Sequence, residues 1–228
     1  MITKLNWDTD FFGYPVGKLI IEETEKFDLE ELKSLSKEFK LLYVFSKSEL
    51  QLSSNNVFLA DRKVIFKRIA GNIIEEDYKY IVSYREGITN QLLNLTFQSG
   101  VYSRFNTDKN FINKEFEKLY TRWIECSVDR TQAKDVFVYK IMNEILGFIT
   151  LVIKNNIAEI GLVAVDNKAR GKGVGSNLVK YAINAASKLG CPEIHVTTQL
   201  DNEPAVALYK NNGFIISDLT YIYHYWNK

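Results

Sequence analysis

Only two of the 228 residues are cysteine, Cys126 and Cys191, and their spacing suits neither a metal site nor a disulfide framework. That usage fits a reducing, cytoplasmic setting. Two histidines, His195 and His224, are too few for a histidine metal centre, so no metal is expected. No apolar run approaches the ~20 residues of a membrane span, which argues against membrane insertion. The opening MITKLNWDTDFFG lacks the apolar stretch of a secretory signal. Strong charge asymmetry is missing as well. The first ninety residues hold 13 basic and 15 acidic side chains and the remainder 16 and 13, so nucleic acid is not expected as a main partner. There is no internal repeat and no low-complexity tract.

Apolar residues make up 46% of the chain, enough for a sizeable core. Residues 18–21 and 41–46 read as short buried strands. Leu29, Leu32, Leu35 and Phe39 between them are spaced for a helix over 28–40. That order suggests a parallel strand pair. Residues 57–69 read as a further strand, and 75–85 carry no clear pattern. A short helix is expected over 92–99 and a stronger one over 114–126, where Phe116, Leu119, Tyr120, Trp123 and Ile124 share a stripe. Strands follow over 135–141, 146–153 and 157–165, with Asn143-Glu144 and Asn155-Asn156 as hairpin turns. A helix over 176–189 stops at Gly190, 193–199 reads as strand, and a helix begins near Pro204 and stops at Gly213. The tail (Tyr221, Tyr223, Tyr225, Trp226) fits a final core strand or the interface of a homodimer.

The segment Arg170-Gly171-Lys172-Gly173-Val174-Gly175 follows a buried strand and opens a helix. Glycines permit positive φ and close backbone approach, and a helix N-terminus offers free N–H groups, so the segment suits a diphosphate. A P-loop requires a lysine after its last glycine, and Lys172 lies between them. The dinucleotide fingerprint requires glycine where Ser176 stands. Arg-x-x-Gly-x-Gly is satisfied by Arg170, Gly173 and Gly175. A plain glycine-rich turn remains the alternative for the motif alone.

The flanking order carries the resemblance. Antiparallel strands, V-x-x-x-x-R-G-K-G-V-G-S, a helix, a strand and D-N-E-P-A-V-A-L-Y-K-N-N-G-F together resemble the GNAT acetyltransferase superfamily, over about residues 92–228. The resemblance implies an α/β (α+β) GNAT fold: a mixed, mostly antiparallel sheet flanked by helices. It implies acetyl-CoA as co-substrate, held by Leu162, Val163, Val165, Arg170, Gly171, Lys172, Gly173, Val174, Gly175, Ser176, Asn202, Ala205 and Tyr209. It also implies that two strands splay, that Asn202 meets the pantetheine arm, and that Tyr209 protonates the departing thiolate. Asn202 reads equally as a helix cap and Tyr209 as a core aromatic. Glu159, just before the cradle, is a candidate base or an exposed strand carboxylate.

About ninety residues precede such a domain, so the chain divides into 1–90, an additional N-terminal α/β domain contributing to the acceptor site, and 91–228, the acetyltransferase domain. Leu5 to Tyr14 (LNWDTDFFGY) is dense in aromatics beside carboxylates, and its plain reading is a strand with core aromatics. That opening, with Ser103-Arg104-Phe105, Asp108 and the Leu119-Tyr120…Trp123 run, resembles bacterial WecD-type enzymes, which acetylate the 4-amino group of dTDP-4-amino-4,6-dideoxygalactose. The implied acceptor is a small-molecule nucleotide sugar used in polysaccharide synthesis. Trp7, Phe11, Phe12, Tyr102, Arg104 and Phe105 would meet it, with Arg104 on the diphosphate. Arg104 could instead pair with Asp108 or Glu115. The alternatives are acetylation of a protein N-terminus, lysine or small amine, or an acyl-CoA-sensing module without catalysis.

Overall fold

The computed structural model describes residues 2–22, 28–52, 54–71, 73 and 75–227. In chain order the elements are β1 (Thr3–Lys4), α1 (Asn6–Phe12), β2 (Val16–Ile21), α2 (Leu29–Leu35), β3 (Leu41–Ser46), β4 (Val57–Ile69), β5 (Ile81–Ser83), α3 (Asn90–Ser99) and α4 (Arg104–Thr107). There follow α5 (Glu115–Val128), β6 (Asp135–Ile141), β7 (Glu144–Lys154), β8 (Ile157–Val165), a 3-10 turn (Asn167–Ala169), α6 (Val174–Lys188), β9 (Glu193–Gln199), α7 (Glu203–Asn211) and β10 (Ile215–Trp226).

The ten strands among the described residues share one sheet, ordered β1-β2-β3-β10-β4-β9-β8-β7-β6-β5. Among the described residues only β2–β3 and β8–β9 are parallel. The mixed, mostly antiparallel sheet is the expected one. Near-continuous apolar runs in β2 and β3 suit a pair covered on both faces. Strands from both sides of residue 90 are interleaved. β10 bonds to β3 through Tyr221–Trp226 on one side and to β4 on the other. Tyr223, His224, Tyr225 and Trp226 are all buried, so the tail is a core strand.

Local chemistry sets several boundaries. Asp28 accepts from Glu31 N–H at 2.9 Å and starts α2. α2 ends earlier than its apolar spacing predicts, because the buried Ser36 turns back onto the Lys33 carbonyl at 3.2 Å. Asn155 and Asn156 both hold positive φ, 49° and 63°, as a two-residue hairpin requires. The preceding hairpin turns one residue earlier than expected, at Met142-Asn143, with Ile141 opposite Glu144. The aromatic opening is a helix rather than a strand. Trp7 and Phe11, one turn apart, stack at 4.8 Å, and Gly13 ends the helix at φ 78°.

Helix α6 packs Leu178, Val179, Ala182, Ile183 and Ala186 against one face of β7–β9. Helices α3 and α5 cover the other face with Leu92, Leu95 and Ile124. A separate aromatic cluster joins Tyr43 and Trp226 to Phe105 and Tyr120, bridging the front strands and the α4–α5 segment. Gly100 lets α5 dock there: a Cβ at this position would lie 2.5 Å from the rings of Phe116 and Tyr120. Gly100→Ala is expected to lose about 1–3 kcal/mol through overpacking. A chemical-denaturation midpoint equal to wild type would refute this.

Candidate active site

The site begins where β8 and β9 part. Their parallel pairing runs only from Ala158↔Ile194 to Ile160↔Val196. Beyond it Leu162–Val165 stays with β7, while Thr197–Gln199 stays with β4. A bulge opposite Thr150 drives the divergence. Thr150 Oγ1 accepts from Leu162 N–H at 2.8 Å, and a Cβ at Gly161 would sit 2.8 Å from the same oxygen. The backbone of Leu162–Val165 therefore faces an opening rather than a neighbouring strand.

A cleft of about 440 Å³ extends from this opening to the glycine segment. Val163, Val165, Arg170, Gly171, Gly173, Val174, Gly175, Ser176, Asn202, Ala205 and Tyr209 line it, joined by Gln98, Ser99 and Tyr102 across the gap. Gly171 and Gly173 hold φ of 73° and 78°, and space is open where their Cβ atoms would be. Gly173 caps α6 without any side chain, so the first-turn N–H groups remain available to an anion. This cradle fits a diphosphate. Arg170 Nε bonds the Val165 carbonyl at 3.1 Å and anchors the turn. Ser176 Oγ donates to Asn212 Oδ1 at 2.9 Å, tying α6 to α7. Lys172 is exposed and lines neither this cleft nor the next cavity.

Asn202 caps α7, its Oδ1 accepting from Ala205 N–H at 3.2 Å, and it also lines the cleft, so both sequence readings hold together. Tyr209 is buried between Phe66 and Phe214, each ring 5.8 Å away. Its hydroxyl makes no hydrogen bond among the described residues. Burial raises its pKa, so the phenol stays protonated at neutral pH.

Tyr209, Asn202, Ala205, Ser99 and Val163 also border a second cavity of about 400 Å³. The two spaces thus meet at the Tyr209 side chain. Trp7, Phe12, Phe105, Tyr120 and Trp123 wall the second cavity, together with Leu162, Asp8, Asp61, Lys63 and Arg104. The Arg104 guanidinium lies 4.7 Å over both Tyr43 and Phe105, and its buried Nε has no partner among the described residues. It pairs with neither carboxylate that its sequence neighbourhood suggested. Asp108 accepts from His224 Nδ1 at 2.6 Å and Trp226 Nε1 at 2.8 Å. Glu115 accepts from Asn113 N–H at 2.7 Å. Burial raises Asp61 to about 6, against the opposing pull of Arg104 and Lys63, and likewise raises Asp8. Burial lowers Lys63.

Besides Lys172, and Leu162 which lines the aromatic cavity instead of the glycine-segment cleft, three more sequence-selected residues fall elsewhere. Phe11 stacks behind Trp7 and lines neither cavity. Tyr102 borders the glycine-segment cleft instead of the aromatic cavity. Glu159 sits opposite His195, where β8 and β9 are still paired, and reaches neither cavity. Conversely, Asp8, Asp61 and Lys63 line the aromatic cavity without having been singled out. The signal for two of them is the charged Asp61-Arg62-Lys63 run between the apolar stretches Val57–Ala60 and Val64–Phe66 of one strand.

A splayed parallel pair ending in a glycine-capped helix, with a buried tyrosine at the fork, makes a cleft with strand backbone along one wall and first-turn N–H groups at its end. The profile of the acetyltransferase (GNAT) family matches residues 100–214, half of the chain. The protein belongs to the GNAT acetyltransferase family. N-alpha-acetyltransferase 30 of Xenopus laevis is 45% identical over 56 residues, 25% of this chain and 20% of that protein. An uncharacterised N-acetyltransferase of Methanocaldococcus jannaschii is 28% identical over 114 residues, 47% of this chain and 49% of that protein. The chain thus spans half or less of the length of these relatives. Among solved structures, a protein of unknown function from Staphylococcus epidermidis covers 94% of this chain, matched over 85% of its own, at 9% identity and TM-score 0.59. A tandem GNAT protein of the clavulanic acid pathway covers 94%, matched over 76% of its own, at 13% identity and TM-score 0.53. Both share the fold.

Proposed function

We propose that the protein transfers the acetyl group of acetyl-CoA to the amino group of a nucleotide-linked amino-deoxysugar, of the dTDP-4-amino-4,6-dideoxyhexose type. The observation that carries this reading is the aromatic cavity meeting the glycine-segment cleft at Tyr209, with the buried Arg104 Nε lacking a hydrogen-bond partner among the described residues. Aromatic faces suit a deoxysugar ring or thymine, and a guanidinium suits a diphosphate as a bidentate donor. The front ninety residues contribute to this acceptor side through Trp7, Asp8, Phe12, Asp61 and Lys63.

In this reading acetyl-CoA supplies an activated acetyl group as a thioester. Gly171, Gly173 and the α6 N-terminus hold its diphosphate, and the free backbone of Val163 and Val165 holds the pantetheine arm beside Asn202. Tyr209 gives its phenolic proton to the departing sulfur. We place the reaction in the cytoplasm.

A panel of amines tests the proposal: dTDP-4-amino-4,6-dideoxygalactose, the free amino sugar, small amines and peptides with free N-termini. Thiol release is expected on the nucleotide-linked sugar. The second reading, acetylation of a protein N-terminus, is favoured by the segment 45% identical to N-alpha-acetyltransferase 30, and peptide turnover alone would establish it. Acetyl-CoA binding without turnover on any amine would favour a sensing module. Arg104→Ala is expected to raise the KM of the nucleotide sugar by roughly 10- to 100-fold, the 1.5–3 kcal/mol of a charged hydrogen-bonding contact. Its effect on the free sugar should be far smaller. An equal effect on both would remove Arg104 from the diphosphate.

A further inference from the structure

We infer that Asp61 is the catalytic base, taking from the acceptor's ammonium group the proton that must leave before nitrogen can attack. This rests on the reading that the aromatic cavity receives the acceptor.

The backbone aims Asp61 into that cavity. β4 and β10 pair Leu59↔Tyr223 and Asp61↔Ile222, which leaves Ala60 as an extra residue. In an unbroken strand Leu59 and Asp61 would share a face. The one-residue bulge places them on opposite faces. Leu59 packs into the cluster containing Tyr223, while Asp61 turns toward α4. Asp61 is 8% exposed, and its Oδ1 is buried with no hydrogen-bond partner among the described residues. An unpaired acceptor atom in a low-dielectric wall is costly unless a donor arrives. An ammonium or amine N–H is such a donor.

The surroundings tune rather than quench it. Arg104 from α4 and Lys63 from β4 favour the carboxylate, and Asp201 beyond β9 opposes it. Asp201 is itself paired with Arg62. Gln199 on β9 offers an amide beside Asp61. Tyr120 from α5 and Asp8 from α1 line the same cavity, and Glu49 borders the shallower cleft behind. Burial prevails and holds the group at about 6, so at neutral pH it is ionised yet basic enough to accept a proton. Glu159 has no comparable access.

The protons balance. Asp61 takes one from R–NH₃⁺. The amine nitrogen bonds to the acetyl carbon and the C–S bond breaks, its electron pair staying on sulfur. Tyr209 protonates that sulfur and is restored by the second surplus proton on nitrogen. Asp61 then releases its proton to solvent, so one proton is freed per turnover.

The test is the pH dependence of acceptor kcat/KM on whichever amine of the panel turns over. The wild-type profile should fall on the acid side near pH 6. Asp61→Asn should lower kcat/KM by roughly 100-fold at neutral pH, abolish that acid limb, and leave acetyl-CoA affinity and the thermal midpoint unchanged. Asp61→Glu should restore part of the activity together with the limb. An Asp61→Asn enzyme that keeps its rate and its acid limb would overturn the assignment, as would the same losses in Glu159→Gln instead. Turnover of a peptide rather than the nucleotide sugar, still with an Asp61-dependent limb, would overturn the substrate reading and uphold the base. Failure of every amine would overturn both.

Discussion

Replacing Tyr209 with phenylalanine is expected to lower kcat by roughly 100-fold or more while leaving acetyl-CoA affinity unchanged. The ring would survive the change, because Phe66 and Phe214 pack beside it at tilted angles and the hydroxyl bonds to nothing among the described residues. Only the proton would be lost. A buried phenol is a poor acid in isolation, since burial raises its pKa. The same dry fork raises the basicity of a thiolate expelled beside it, so the two groups remain matched for a short hydrogen bond. Stopped-flow or steady-state thiol release, paired with a direct acetyl-CoA binding measurement, separates the two quantities. A variant with the wild-type kcat would remove Tyr209 from the chemistry.

The second large effect concerns stability. Asp108 is 3% exposed and accepts from both His224 Nδ1 and Trp226 Nε1. Asp108→Ala would leave two buried donors without partners, at about 1–3 kcal/mol each. A loss of several kcal/mol in equilibrium unfolding is expected, and a loss below about 1 kcal/mol would show that water replaces the carboxylate. The pair also has a pH signature. Burial lowers His224 from 6.5 to about 4, outweighing the pull of Asp108 toward protonation. The folded protein therefore refuses a proton that the unfolded chain accepts. By linkage this part of the stability is present above pH 6.5 and declines as pH falls from 6.5 toward 4. The burial of Asp108 acts against its ionisation, but the His224, Asn110 and Trp226 hydrogen bonds prevail and lower its pKa. Its contribution is then lost only at still lower pH. Thermal midpoints at pH 7 and pH 5 should differ in the wild type, and the difference should shrink in His224→Phe.

Much of this architecture is legible in the chain itself, because it rests on local patterns. The apolar strand runs over 57–69 and 135–165, the paired asparagines at 155–156 and the glycines at 171, 173 and 213 each act within a few residues. So does the block from Asn202 to Tyr209, where one residue caps a helix and another, two turns on, reaches the fork. The less legible parts depend on contacts distant in sequence. Nothing local places β10 between β3 and β4. The density of aromatics at Trp7–Phe12 suits a strand as well as a helix, and the stacking one turn apart decides for the helix. Asp61 was hidden because its orientation depends on a bulge visible only once β10 is alongside. Glu159 drew notice by nearness to the glycine segment, yet the strands have not parted at its level.

The interleaving of the sheet has a consequence for synthesis. β3 and β4 leave the ribosome long before β10, the strand that separates and bonds both of them. Until it arrives, each presents a long unsatisfied edge, open to the wrong neighbour. β1, β2 and β3 join the rest of the sheet only through β10, so the wall that α1 carries with Trp7 and Phe12 waits for the end of the chain.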